Sequence, residues 1–114
     1  MRVKFYCDLY VSPEWRKKKE KLMRLVRRRR LRPSMYVVAL SQGGQNELEF
    51  FSSILLKQHV FDNSEIFVVG IADGYEDALS IVEELTDKVY QMSGTAMLRR
   101  FVLERQEEFE KTRR

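Results

Sequence analysis

The sequence predicts a small layered α/β protein, because stretches with strand periodicity alternate with stretches with helix periodicity. Apolar and polar residues alternate over residues 3–11, and this period of two indicates a strand with one drier face. Residues 35–40 and 66–72 are apolar throughout, which is typical of strands buried on both faces. The 114 residues, 44% of them apolar, fit a single α/β domain over 1–114 with one core.

Strands that alternate with helices of ten or more residues usually form a parallel sheet through crossover connections. We therefore expect a small α/β sandwich with four helices and a three-stranded, mostly parallel sheet. The element order is β-α-β-α-β-α-α, as in half of a Rossmann-like or flavodoxin-like sheet. The tail after about residue 110 is expected to fray.

The first predicted helix is an integral part of this fold. Ser12 can cap it, Pro13 suits its first turn, and Pro33 ends it because the residue before a proline avoids helical geometry. Leu22 and Val26 lie on its apolar side. The helix should therefore be tied to the core and not act as a detachable arm.

The second helix is predicted to begin at Asn46, with Glu49 completing a capping box, and to end at about Gln58. It is apolar over an unusually wide arc. An outer helix with so much apolar surface favours a homodimer that buries either this helix or an edge strand.

Two more helices complete the prediction. Asp73 and Glu76 form a capping box for a third helix that stops at Gly94. Thr95 can cap a last helix whose apolar side includes Phe109.

Charge is concentrated in the first helix. Residues 16–32 contain eleven Lys or Arg against one acid, Glu20, although the net charge of the chain is only +4. Such asymmetry indicates an anionic partner, an acidic surface of the protein itself, or a well-solvated face. Acids on the third and fourth helices could supply the second of these, within one subunit or between subunits.

Our leading functional hypothesis is a non-catalytic binding module whose basic helix docks nucleic acid or an acidic protein. The chain has no helix-turn-helix, zinc-finger or aromatic RNA-binding motif, so binding to nucleic acid would be mostly electrostatic and sensitive to salt. The predicted contact residues are Arg16, Lys17, Lys18, Lys21, Arg24, Arg27, Arg28 and Arg30.

The rival hypothesis is a small enzyme or a nucleotide- or phosphate-binding domain that uses the carboxyl ends of the strands. Its candidate residues are Asp8, Ser12, Ser41, Gly43, Gly44, Asn46 and Asp73. Gly43 and Gly44 precede a helix start and could bring backbone N–H groups to a phosphate, but no Gly-Lys-Ser/Thr follows, and a tight turn explains them equally. Asp8 and Asp73 could share a divalent cation, although Asp73 also suits an N-cap.

The sequence offers little support for a metal site or for catalysis by cysteine and histidine. A single cysteine, Cys7, and a single histidine, His59, do not make an ordinary zinc site, and Cys7 reads as a small buried hydrophobe. We predict no catalytic residues, no metal and no cofactor. The lone thiol and the lack of a long apolar run predict a cytoplasmic protein without membrane contact. A structural homo-oligomer without a ligand remains a third hypothesis.

Overall fold

The computed structural model describes residues 2–30, 32–41 and 48–113, and within them the chain forms four strands and three α-helices. The strands are β1 (Arg2–Val11), β2 (Met35–Leu40), β3 (Leu48–Ser52) and β4 (Glu65–Asp73). The helices are α1 (Lys19–Arg27), α2 (Tyr75–Ser93) and α3 (Leu98–Thr112). Short 3-10 turns occupy Pro13–Lys18, Ser53–Lys57 and His59–Phe61.

The four strands make one mixed sheet in the order β1-β4-β2-β3. β1 runs parallel to β4, whereas β2 is antiparallel to both β4 and β3. The predicted three-stranded, mostly parallel sheet is therefore wrong, and the mixed sheet does not fit a Rossmann-like half. The connection through α1 joins two antiparallel strands, because β2 lies beyond β4 and runs in the opposite direction.

The error comes from the predicted second helix. Residues Leu48–Ser52 form the edge strand β3, in which Phe50 lies opposite Val38 and Phe51 lies opposite Val37. Phe50 packs on one face of the sheet and Phe51 on the other. A short apolar run has no decisive period, so its wide apolar arc fits a strand with two partly covered faces as well as a helix. Of the two surfaces that the predicted homodimer could bury, the apolar helix is replaced by a strand, and burial of an edge strand stays a prediction.

The sheet separates two hydrophobic clusters. Leu22 and Val26 of α1 pack on one face, against residues such as Val37 and Val68. Helices α2 and α3 cover the other face, where the side chain of the neighbouring Val38 is buried. Adjacent residues of a strand point to opposite faces, so the fully apolar β2 and β4 serve both clusters. The result is a three-layer α/β/α arrangement.

Edge strand β1 is irregular in its middle. Phe5 pairs with Val68 and Tyr10 pairs with Gly70, so five positions along β1 match two along β4. The extra residues form a bulge. Simple alternation would place Phe5 and Cys7 on the same face, but Phe5 packs on the α1 face and Cys7 on the α2/α3 face, because the bulge changes the alternation.

Helix ends also differ from the predictions. The predicted first helix is divided into the 3-10 turn Pro13–Lys18 and α1, and Ser12 makes no side-chain cap to it. The N-cap of α2 is Gly74, with φ 95°, and not Asp73. The predicted stop at Gly94 is confirmed by its left-handed φ of 71°. No helix in the described part of the chain is long and apolar enough to cross a membrane.

Candidate nucleic-acid interface

Seven of the basic residues of segment 16–32 lie on α1 and on the 3-10 turn before it, and Arg28, Arg29, Arg30 and Arg32 follow α1. Leu22 and Val26 are buried against the sheet, so the helix is held firmly. All eight of the predicted contact residues are exposed. We call the surface formed by Arg16, Lys17, Lys18, Lys21, Arg24, Arg27, Arg28 and Arg30 the basic helix surface.

Only one base of segment 16–32 forms an ion pair within the described residues. Nη1 of Arg29 lies 2.8 Å from Oδ1 of Asp62, whose Oδ2 lies 3.1 Å from Nδ1 of His59. Hydrogen bonds from Arg29, and then from His59, hold the pKa of Asp62 below its usual value. The other ten bases make no ion pair with the described acids.

Most acidic residues of the chain lie away from segment 16–32. α2 and α3, which carry most of them, cover the opposite face of the sheet from α1. Three of the four acids of α3 form ion pairs, namely Glu104 with Arg100 at 3.0 Å, Glu107 with Lys111 at 3.1 Å, and Glu110 with Lys4 at 2.7 Å. Pairing between the basic helix surface and the acidic helices of the same chain is therefore not observed among these residues.

α3 is fastened to the bulge of β1 by polar contacts. The N–H of Cys7 donates to Oε1 of Gln106 at 2.7 Å, and Nε of Arg105 lies 3.0 Å from Oδ2 of Asp8. The carboxylate of Asp8 raises the pKa of Arg105. The hydrogen bond from Lys4 is the main reason that the pKa of Glu110 is lowered. The bulge is thus stabilised from a helix almost 100 residues away in the sequence.

A groove follows the outer edge of β1. Its central cavity, of about 480 Å³, lies between α1 and α3. Lys4 also lines a neighbouring cavity of about 540 Å³ at the amino end of β1, which reaches β4 and α3 and includes Arg2 and Arg99. Lys19 connects it with a cavity of about 760 Å³ at the carboxyl end. We call these three linked cavities the β1-edge groove.

Two guanidinium groups at the central cavity lie over aromatic rings. Cζ of Arg27, from α1, is 4.9 Å from the ring centre of Phe5. Cζ of Arg113, just beyond α3, is 5.8 Å from the ring centre of Phe109. Both distances allow cation–π attraction, which favours a flat guanidinium over the ring.

The alternative site of the sequence prediction is brought together only in part. Oγ of the buried Ser12 accepts the N–H of Asp73 at 2.7 Å, so these two residues meet at the carboxyl ends of β1 and β4. Ser41 follows the antiparallel β2 and lies at the other end of the sheet, where its carbonyl oxygen accepts from Arg99. Asp8, on the edge strand β1, pairs with Arg105 of α3. Gly43, Gly44 and Asn46 lie outside the described residues.

The described residues do not assemble a catalytic or metal-binding set. Burial, and then the nearby Asp8, raises the pKa of the Cys7 thiol, so the thiol stays protonated at neutral pH. His59, the lone histidine, lies against Asp62. No group of three or more His, Cys, Asp or Glu side chains suitable for a metal ion occurs in the described stretches.

Sequence reasoning located the basic helix surface but missed the β1-edge groove. The groove combines residues from both ends of the chain with residues of α1, and no local pattern links them. Comparison of the chain with protein-family models, curated proteins and solved structures found no match. The chemistry of its surfaces is therefore the basis for inferring what it binds.

Proposed function

We propose that this protein is a non-catalytic module that binds nucleic acid through the basic helix surface. The observation that carries this proposal is that ten of the eleven bases in segment 16–32 have no ion-pair partner among the described residues. Such closely spaced like charges repel one another, so an arrangement that leaves them unpaired destabilises the free protein unless an anion neutralises them.

The shape of the basic helix surface supports a phosphate backbone as that anion. The six-residue 3-10 turn and the nine-residue helix together extend about 25 Å, with bases at intervals along their whole length. Phosphates repeat regularly along a nucleic-acid strand and can therefore contact successive basic side chains of this surface. Arg24, Arg27, Arg28 and Arg30 add planar forks that bind phosphate oxygens in pairs.

The proposed contact of the basic helix surface is with the sugar-phosphate backbone of the nucleic acid and not with its nucleobases. No base-reading motif is present in the sequence, and phosphate contacts position a protein without reading sequence. We therefore expect weak discrimination among sequences and a strong dependence on salt.

Fluorescence anisotropy with labelled DNA and RNA oligonucleotides tests the proposal. Binding should be measurable at 50 mM salt and should weaken by about a thousandfold at 200 mM if six or more phosphates are contacted. Polyglutamate serves as a competitor, because it matches the charge of a phosphate backbone without its geometry. Absence of binding at 50 mM salt would contradict the proposal, and equal competition by polyglutamate would assign the surface to acidic proteins.

A further inference from the structure

The β1-edge groove is a basic surface beside the basic helix surface but distinct from it in shape. Lys4, Lys19, Arg27 and Arg113 all line its central cavity, whereas Glu110 is the acid that lines it. Glu110 is already paired with Lys4. The central cavity therefore has an excess of positive charge that the described residues do not neutralise.

We propose that the β1-edge groove holds an extended single strand of nucleic acid, with a phosphate between Arg27 and Arg113 and a base against the ring of Phe109. This inference rests on the proposed function, because it assumes that the partner of the basic helix surface is nucleic acid. It adds the form of the nucleic acid and the place where it is held.

The size of the groove favours a single strand. The central cavity, of about 480 Å³, falls within the roughly 300–1,000 Å³ of ordinary small-ligand pockets. A nucleotide fits such a space, but a duplex, with its phosphates on a wide convex cylinder, does not enter it. The central and amino-end cavities lie beside residues 2–9 of β1, about 26 Å of extended chain, which suits several successive nucleotides.

The two arginines are arranged to hold a phosphate. α1 and α3 cover opposite faces of the sheet, so Arg27 and Arg113 approach the central cavity from opposite walls. Stacking on Phe5 and Phe109 restricts the guanidinium groups, which reduces the entropy lost when they bind. Each stacked guanidinium keeps its N–H edge available for phosphate oxygens.

Phe109 provides the second element that single-strand binding requires. Its side chain is half-buried and lines the central cavity, so part of the ring is accessible. Aromatic rings beside a basic groove bind single strands because every unpaired base can stack on them. A duplex keeps its bases stacked internally and cannot use this contact.

Charge also limits where the strand can lie. The cavity at the carboxyl end of β1 is lined by three acids, Asp8, Glu84 and Asp87, and by three bases, Arg16, Lys19 and Lys88, so it offers phosphates no net attraction. The cavity at the amino end contains Arg2, Lys4 and Arg99 with one acid, Glu65, which is paired with Arg2 at 3.3 Å. The proposed nucleic-acid strand therefore occupies the central and amino-end cavities.

Competition between single-stranded and duplex DNA of the same sequence tests this inference at constant salt. We expect the wild-type protein to bind the single strand about tenfold more tightly. Phe109→Ala and Arg113→Gln should each remove most of this preference and leave the affinity for duplex unchanged. Lys111→Gln is the matched control, because Lys111 lies on the same helix end but pairs with Glu107 outside the groove.

The outcomes separate the two proposals. Failure of both forms of DNA to bind would overturn the proposed function and this inference together. Binding without preference for the single strand, or a preference that Arg113→Gln leaves intact, would overturn only this inference. Arg113 is exposed and lies beyond the last residue of α3, so its substitution should not prevent folding even if Phe109→Ala does.

Discussion

The helices α1 and α3, which lie on opposite faces of the sheet, differ in how their charges are paired. On the α2/α3 face, the charged residues of α3 are mostly paired, either within the helix or with β1, as in Arg105 with Asp8. On the α1 face, the bases of segment 16–32 lie along one surface, and within the described stretches only Arg29 among them pairs with an acid. Both helices carry many charges, but α3 has four acids among its bases, whereas α1 has one, Glu20, which forms no ion pair among the described residues.

This contrast separates charges that stabilise the fold from charges that are available to a partner. The polar contacts of α3 fasten it to the bulge of β1 and have a structural explanation. The basic helix surface has no such explanation, because α1 is already held by its apolar residues Leu22 and Val26. An external anion is the simplest reason for a surface of this kind.

The largest expected effect comes from reversing charge on the α1 face. Lys21→Glu combined with Arg24→Glu should weaken nucleic-acid binding about a hundredfold at low salt, because repulsion replaces phosphate contacts. The matched control, Arg100→Glu with Lys111→Glu, makes the same change in net charge on α3. Equal weakening by both pairs, measured by anisotropy, would show that binding follows net charge and not the basic helix surface.

The next largest effect concerns how α1 is held. Leu22 is buried between α1 and the sheet, so Leu22→Ala should lower the free energy of unfolding by about 3 kcal/mol. The exposed neighbour Lys21 provides the control, since Lys21→Ala should change stability by less than about 0.5 kcal/mol. Denaturant unfolding measures both, and similar values for the two variants would mean that α1 is not anchored as described.

A smaller effect on stability is expected from removing the hydrogen bond that holds α3 to β1. Gln106→Ala leaves the N–H of Cys7 without its partner, which should cost about 1–3 kcal/mol of unfolding free energy. Gln106→Glu keeps an acceptor oxygen but loses the hydrogen bond from Nε2 to Glu110 at 3.3 Å and sets two carboxylates against each other, so it should not recover this loss. Hydrogen exchange at Cys7 reports the same contact, and protection that survives in Gln106→Ala would contradict the role of Gln106 in the bulge.

The smallest effect concerns the single ion-paired base of segment 16–32. Because the pKa of Asp62 is lowered in the folded state, its carboxylate stabilises the fold above the unfolded-state pKa. This contribution is lost as the pH falls through the folded-state pKa. Asp62→Asn should therefore be slightly less stable than wild type at pH 7 and equally stable in acid.

Thermal unfolding as a function of pH measures the Asp62 effect. Glu83→Gln, at an exposed acid of α2 that forms no ion pair among the described residues, is the control. A destabilisation of Asp62→Asn that persists unchanged at low pH would show that the charge of Asp62 is not its cause.

Much of the secondary structure could be predicted from local patterns. The strands β1, β2 and β4 follow from alternation or from short apolar runs, and Gly94 marks the end of α2 as predicted, whereas α1 ends at Arg27, six positions before Pro33. β3 could not be separated from a helix, because five residues with Leu48, Phe50 and Phe51 have too few positions to show a period. That single error changed the strand number, the strand directions and the expected dimer surface.

Only the part of the site that is formed by residues close together in the sequence could be predicted. A run of bases identifies the basic helix surface directly. The β1-edge groove depends on Arg27 and Arg113, which are 86 positions apart and meet only because α1 and α3 flank the same edge strand. The bulge depends on Gln106, far from Cys7 in the sequence. Such long-range contacts leave no pattern in either segment alone.

The salt dependence of nucleic-acid affinity in two single variants tests the contrast between the two faces most directly. Arg24→Gln removes an unpaired base of α1, and Arg100→Gln removes a base of α3 that pairs with Glu104. The slope of log affinity against log salt should decrease by about 0.7–0.9 for Arg24→Gln, which corresponds to one phosphate contact, and should not change for Arg100→Gln. Identical slopes for wild type and Arg24→Gln would contradict the assignment of the α1 face to a phosphate backbone.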